Sequence, residues 1–161
     1  MAAVDYFLKI DGIEGESLDE KHKGEIDVLS WSWGESQGGS TAGGGSGAGR
    51  VSMQDVRFEM GVSKASPKFM LACARGEHLK KAVLTCRKAG AGQHEFLKIA
   101  LSDVLISSYQ TASSMQTGSP IADQVSLSFA QIMFEYIEQK ADGTVGGTVR
   151  AGWDVKANKV M

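Results

Sequence analysis

Nucleophiles, histidines, carboxylates and a glycine-rich loop are the features of this chain that could do chemistry. Ser46 lies in Gly45-Ser46-Gly47-Ala48, which misses the GxSxG nucleophile pattern because Ala48 replaces the last glycine. A nucleophile elbow also needs a strand-to-helix turn, and Arg50 begins an extended segment instead. The fragment Gly43-Gly44-Gly45-Ser46-Gly47-Ala48 satisfies GxGxxA by composition alone. There is no GxxxxGK[ST] run, and without a helix N-terminus behind it the loop lacks the logic of a phosphate cradle. His22, His78 and His94 are far apart and share no metal-ligand spacing with Asp, Glu or Cys, so they read as surface or turn histidines. Glu14, Glu16, Asp19 and Glu20 form an acidic run broken by Lys21 and Lys23, without calcium-loop register; it reads as a solvated loop.

The stretch IDVLSWSWG, residues 26–34, carries more information. In an extended strand side chains alternate between faces. That places Leu29, Trp31 and Trp33 on one side and Ser30 and Ser32 on the other. The first side must be buried, in a core or a subunit interface. The second is a smooth hydroxyl surface, which suits a wall better than a catalytic pocket. Behind it comes the glycine- and serine-rich run 38–49, which cannot pack a core and reads as a mobile surface loop.

Composition bounds the rest. A chain of 161 residues, 42% of them hydrophobic, is read as a single domain, 1–161, with a real core. A net charge of −2 gives no sign of a nucleic-acid or anionic-membrane surface. The longest apolar run, 69–74, is far below a membrane span. The start, MAAVDYFLKI, enters an alternating strand directly and lacks the basic and apolar regions of a secretory signal. The expected location is the cytoplasm, with any export by a route that reads no such signal. Cys73 and Cys86 have no CxxC spacing and read as buried, reduced thiols.

The elements that must position these residues have mostly period two. Strands are expected at 4–10, 26–34, 51–60, 83–88, 95–101, 104–109, 124–138 and 149–155. In 124–138 the apolar set changes phase, from Val125, Leu127 and Phe129 to Ile132, Phe134 and Tyr136. A β-bulge near Ala130–Gln131 or a change of partner sheet would explain it. One short helix is expected at 68–75, with Ser66 as N-cap, Pro67 in the first turn and Gly76 as its stop. About two turns long, it must pack on the sheet to survive. Phe58, Phe69, Phe129 and Trp153 join Trp31 and Trp33 as expected core aromatics. The fold class is mainly β: an antiparallel barrel of two sheets with one short helix outside and a long glycine-rich loop.

Taken in order, EIDVLSWSWG, the glycine-rich loop, VSMQDVRF, SKASPKFMLACARGEH, LTCRKAG, EFLKIALSDVLISSY, VSLSFAQIMFEY, QKADG and AGWDVKANK resemble Hcp, the haemolysin co-regulated protein family of bacterial type VI secretion. The resemblance runs from about Val4 to Lys159. It implies a phage tail-tube-like subunit that is no enzyme and uses no cofactor. It implies a homohexamer, a ring with a wide channel, and rings stacked into an inner tube that a contractile sheath expels. The tube carries a VgrG-type spike, and small effector proteins ride and are protected inside the channel. The protein would be found in the cytoplasm and, after firing, outside the cell, with no nucleic-acid partner and no membrane insertion.

On this reading Ser30 and Ser32 face the channel and contact cargo. The loop residues Gly38, Gly39, Ser40, Thr41, Gly43, Gly44, Gly45, Ser46, Gly47 and Gly49 reach a neighbouring subunit, within the ring or in the next one. Two other classes compete. One is a lectin-like β-sandwich binding sugars through its tryptophans. The other is a small hydrolase whose residues converge only in space.

Overall fold

The computed structural model describes residues 3–38, 49–90, 92–113 and 121–161. Most of the glycine-rich loop, 39–48, lies outside them, and with it Gly39, Ser40, Thr41, Gly43, Gly44, Gly45, Ser46 and Gly47. The strands are β1 Val4–Ile10, β2 Ile26–Val28, β3 Ser30–Ser32, β4 Glu35–Gln37, β5 Val51–Met53, β6 Val56–Gly61, β7 His78–Lys88, β8 Glu95–Ala112, β9 Ala122–Gln139, β10 Val145–Asp154 and β11 Lys159–Val160. The helix α1 is Ser66–Arg75. No helix of the described residues is long and apolar enough to cross a membrane.

All strand pairs are antiparallel. The large sheet runs β11-β10-β9-β8-β7-β1-β2, with a branch in which β9 also pairs β6 and β6 pairs β3. The segment 26–32 therefore changes partner strand within this branched sheet. It pairs β1 through Tyr6↔Val28, then β6 through Trp31↔Phe58. Among the described residues, this branched nine-stranded sheet and a separate two-stranded sheet, β4–β5, make up the fold, which is not a closed barrel.

That change of partner corrects one expectation. Ile26 and Val28 are buried, and the phase then slips, so that Trp31 and Trp33 turn inward while Leu29 is 64% exposed. Leu29 is the hinge, its N–H donating to Glu59 O at 2.8 Å. The same physics explains the phase change in β9. Residues 122–127 pair β6 and residues 131–139 pair β10, so the partner changes at the step. The β9–β8 register does not shift there. The bulge lies in β8 instead, at Ser107, between Ile106 and Ser108.

The helix also differs at its start. Its N-cap is Ala65, not Ser66, and no side chain caps it. Ser66, now the first helical residue, points its hydroxyl inward at the buried carboxylate of Asp123. Gly76 ends the helix as expected, at φ 60, with its N–H on Cys73 O and the Glu77 N–H on Ala72 O. These two bonds satisfy carbonyls that the last turn leaves without partners. Phe69 is fully buried and anchors α1 to the core; cutting it to alanine would cost about 3–5 kcal/mol.

Candidate functional site

The face opposite the core on β3, β6, β9 and β8 is ordered by three rungs. The first is Ser32, Arg57, Ser126 and Ser108. The second is Ser30, Glu59, Gln124 and Gln110. The third is Gly61, Ala122 and Ala112, which carry almost no side chain. Period two puts these residues outward because their neighbours Val56, Phe58, Met60, Val125 and Leu127 fill the core. The bulge at Ser107 keeps this register, turning Ser108 and Gln110 outward and Tyr109 inward beside Val125. Ser30 and Ser32 are both exposed, and the surface forms a shallow depression of about 610 Å³. Hydroxyls, amides and one charge of each sign cover it.

This sheet has open edges on both sides. Among the described residues β3 pairs only β6, and the β7 ladder reaches β8 no further than Leu105. Residues 106–112 of β8 therefore have a partner on one side only.

A second surface is apolar. A groove of about 850 Å³ lies between the β4–β5 hairpin and the β9–β10 ladder, lined by Trp33, Val51, Met53, Ile132, Phe134 and Trp153. Gly49, at the end of the glycine-rich loop, borders it, while Gly38 is exposed. The Nε1–H groups of Trp33 and Trp153 are buried and find no acceptor among the described residues. Of the aromatics expected in the core, Phe58 and Phe69 are buried, whereas Trp31, Trp33, Phe129 and Trp153 are half-buried against it.

The three histidines weighed as metal ligands are each engaged by other groups. His22 and His94 are buried rather than at the surface. His22 sits between Glu25 Oε2 at 2.8 Å and Glu95 Oε1 at 2.7 Å, and His94 Nε2 bonds Ile137 O at 2.9 Å. His78 pairs with Asp103 at 3.1 Å. Among the described residues no three His, Cys, Asp or Glu side chains converge as a metal site. Both cysteines are free; Cys73 is half-buried, and burial pushes the Cys86 thiol up to about 11, which suppresses its thiolate. Strand alternation in 51–60 sets Asp55 and Arg57 opposite Val56 and Phe58, as found; what the sequence reading missed is Glu59 on this face and the rung it makes with Ser30 and Gln124.

The geometry has relatives. The profile of the family described as "Type VI secretion system effector, Hcp" matches residues 7–136. Protein hcp1 of Pseudomonas aeruginosa is 48% identical over 159 residues, covering 97% of this chain and 98% of that protein. The crystal structure of Hcp1 from Salmonella typhimurium superposes with a TM-score of 0.81 at 38% identity, over 100% of both chains. A type VI secretion system effector from Yersinia pestis gives a TM-score of 0.77 at 33% identity, over 94% of this chain and 100% of that one. With the family profile over most of the chain and a relative at 48% identity over nearly all of it, the chain belongs to the Hcp family of type VI secretion proteins.

Proposed function

We infer that this chain is the tube subunit of a type VI secretion system. Six copies close into a ring, and rings stack into the inner tube. The observation that carries this reading is the polar sheet with two open edges. An unpaired edge invites another strand. Pairing residues 106–112 of one copy with β3 of the next is a head-to-tail contact, and such contacts generate rings when the rotation closes. The three-rung polar face would then run unbroken around a channel, with Ser30 and Ser32 touching cargo. The apolar groove, with its two indole N–H groups, is a second surface that a neighbouring copy would cover.

The glycine-rich loop 38–49 is assigned to contact between neighbouring subunits, at an entropic cost of ordering on assembly. Family membership supports the remaining partners: small effector proteins in the channel, a VgrG-type spike at the tip and a surrounding contractile sheath. It also supports release from the cell. No catalytic role and no cofactor are assigned. Native mass spectrometry and negative-stain microscopy test the core of the reading. A closed ring of six copies is expected, and a stable monomer would overturn it.

A further inference from the structure

We propose that Arg57 makes the polar face selective for acidic protein segments, the cargo being recognised through its carboxylates. The proposal rests on the channel reading above and adds the chemistry of what the channel holds. Arg57 is exposed at the centre of its rung, between Ser32 and Ser126. It takes part in no ion pair among the described residues. A guanidinium offers a fixed fork that matches a carboxylate with two hydrogen bonds. The hydroxyls on either side can donate to the same carboxylate and offer no competing negative charge.

Two carboxylates flank Arg57 two residues away along the chain, each about 7 Å off: Asp55, which accepts from Ser107 Oγ at 2.6 Å, and Glu59. Glu59 is half-buried, and Ser30 Oγ donates to it at 3.4 Å, so it is less available than Arg57. With Asp55 and Glu59 on either side, Arg57 is the one cation of the face among the described residues, and these two carboxylates limit how much negative charge the wall tolerates. That separates acidic protein from nucleic acid. A polyanion needs many cations along its path, and this face has one per copy in a chain of net charge −2.

The test uses the full-length protein and three fluorescein-labelled probes. One is a peptide of glutamates spaced by Gly and Ser, the second its lysine counterpart, the third a single-stranded oligonucleotide. Binding is read by anisotropy in low salt and in 0.5 M salt. The wild-type protein should prefer the glutamate peptide, and high salt should weaken it. Arg57→Gln should weaken that binding about tenfold. Arg57→Lys, which keeps the charge and loses the fork, should fall between the two. Glu59→Gln should tighten it. Equal binding by wild type and Arg57→Gln, or preference for the lysine peptide or the oligonucleotide, overturns the proposal.

Native mass spectrometry of each protein separates the two readings. Loss of the ring in the wild type defeats the assembly, whereas an intact ring indifferent to Arg57 defeats the selectivity alone. Should Arg57→Gln fail to assemble, Arg57→Lys and Glu59→Gln decide: the first must weaken and the second tighten glutamate-peptide binding.

Discussion

Arg87 holds Asp19 with both ends of its guanidinium, Nη1 at 3.0 Å from Oδ1 and Nη2 at 2.6 Å from Oδ2. This pair fastens the acidic loop, residues 11–25, to the outside of β1 and β7. Nη2 also reaches Asp5 at 3.0 Å, and the guanidinium lies over the Phe7 ring at 4.8 Å. His22 also stacks on the Phe7 ring, centroids 4.3 Å apart, and is itself held by Glu25 and Glu95. Burial pushes the Glu95 carboxyl up, and the hydrogen bonds from His22 and Lys98 outweigh it, so that carboxyl sits below its ordinary value. Because Arg87 is only 3% exposed, its charge depends on these partners. Arg87→Ala should lower unfolding free energy by about 2–3 kcal/mol, measured by chemical denaturation. An unchanged midpoint would contradict the role given to the pair.

Acid should loosen the same loop. The hydrogen bond from Arg87 lowers the Asp19 carboxyl from 3.8 to about 2. A carboxyl depressed in the folded state contributes stability that is complete above its unfolded value and lost as pH falls through its folded one. The window is therefore from just above 3.8 down to about 2. Unfolding curves of wild type and Asp19→Asn should converge across it; a gap that stays constant to pH 2 would refute the assignment.

Asp27 should behave in the opposite sense. Burial raises its carboxyl, and the charges of Asp19 and Asp5 add to this. An ionised Asp27 is thus a cost to the fold at neutral pH, relieved as pH falls. Asp27→Asn should raise the melting temperature at pH 7, by an amount that shrinks on acidification.

Inside the core, Tyr109 OH donates to Asp123 Oδ1 at 3.1 Å, and Ser66 Oγ donates to Oδ2 of the same buried carboxylate. One acid so ties β8, β9 and the start of α1. Tyr109→Phe should cost about 1 kcal/mol and Asp123→Ala more, since the second strands two hydroxyls. Hydrogen exchange in α1 is the local readout, and protection there should fall in both variants.

On the polar face, a bulky replacement at Ser32 should weaken cargo retention while native mass spectrometry still finds the ring. Deleting residues 39–48 should impair ring stacking more than folding, measured by tube formation against melting temperature. A ring lost with Ser32→Tyr would count against its place in the channel.

Much of the local structure is legible in the residues. Val4–Ile10 alternates and is β1 with those bounds. Gly76 stops the helix because it alone there takes φ 60 without a Cβ penalty. Ser30 and Ser32 face outward as strand alternation requires. Arg87 shows what alternation misses. Period two puts it with Thr85 on the side away from Leu84 and Cys86, the side that reads as solvent. In the fold that side is covered by residues 11–25, and both are buried.

The order of polar and apolar residues along the chain determined that this is a β protein with one docked helix, and that Ser30 and Ser32 lie on a wet face. Those properties follow from the backbone's fixed periods, which act over a few residues. Where segment 26–32 trades β1 for β6, where β9 trades β6 for β10, and which loop seals Arg87 were settled by tertiary pairing alone. Each depends on strands distant in sequence meeting at a common edge, and a one-residue slip there turns every following side chain to the other face.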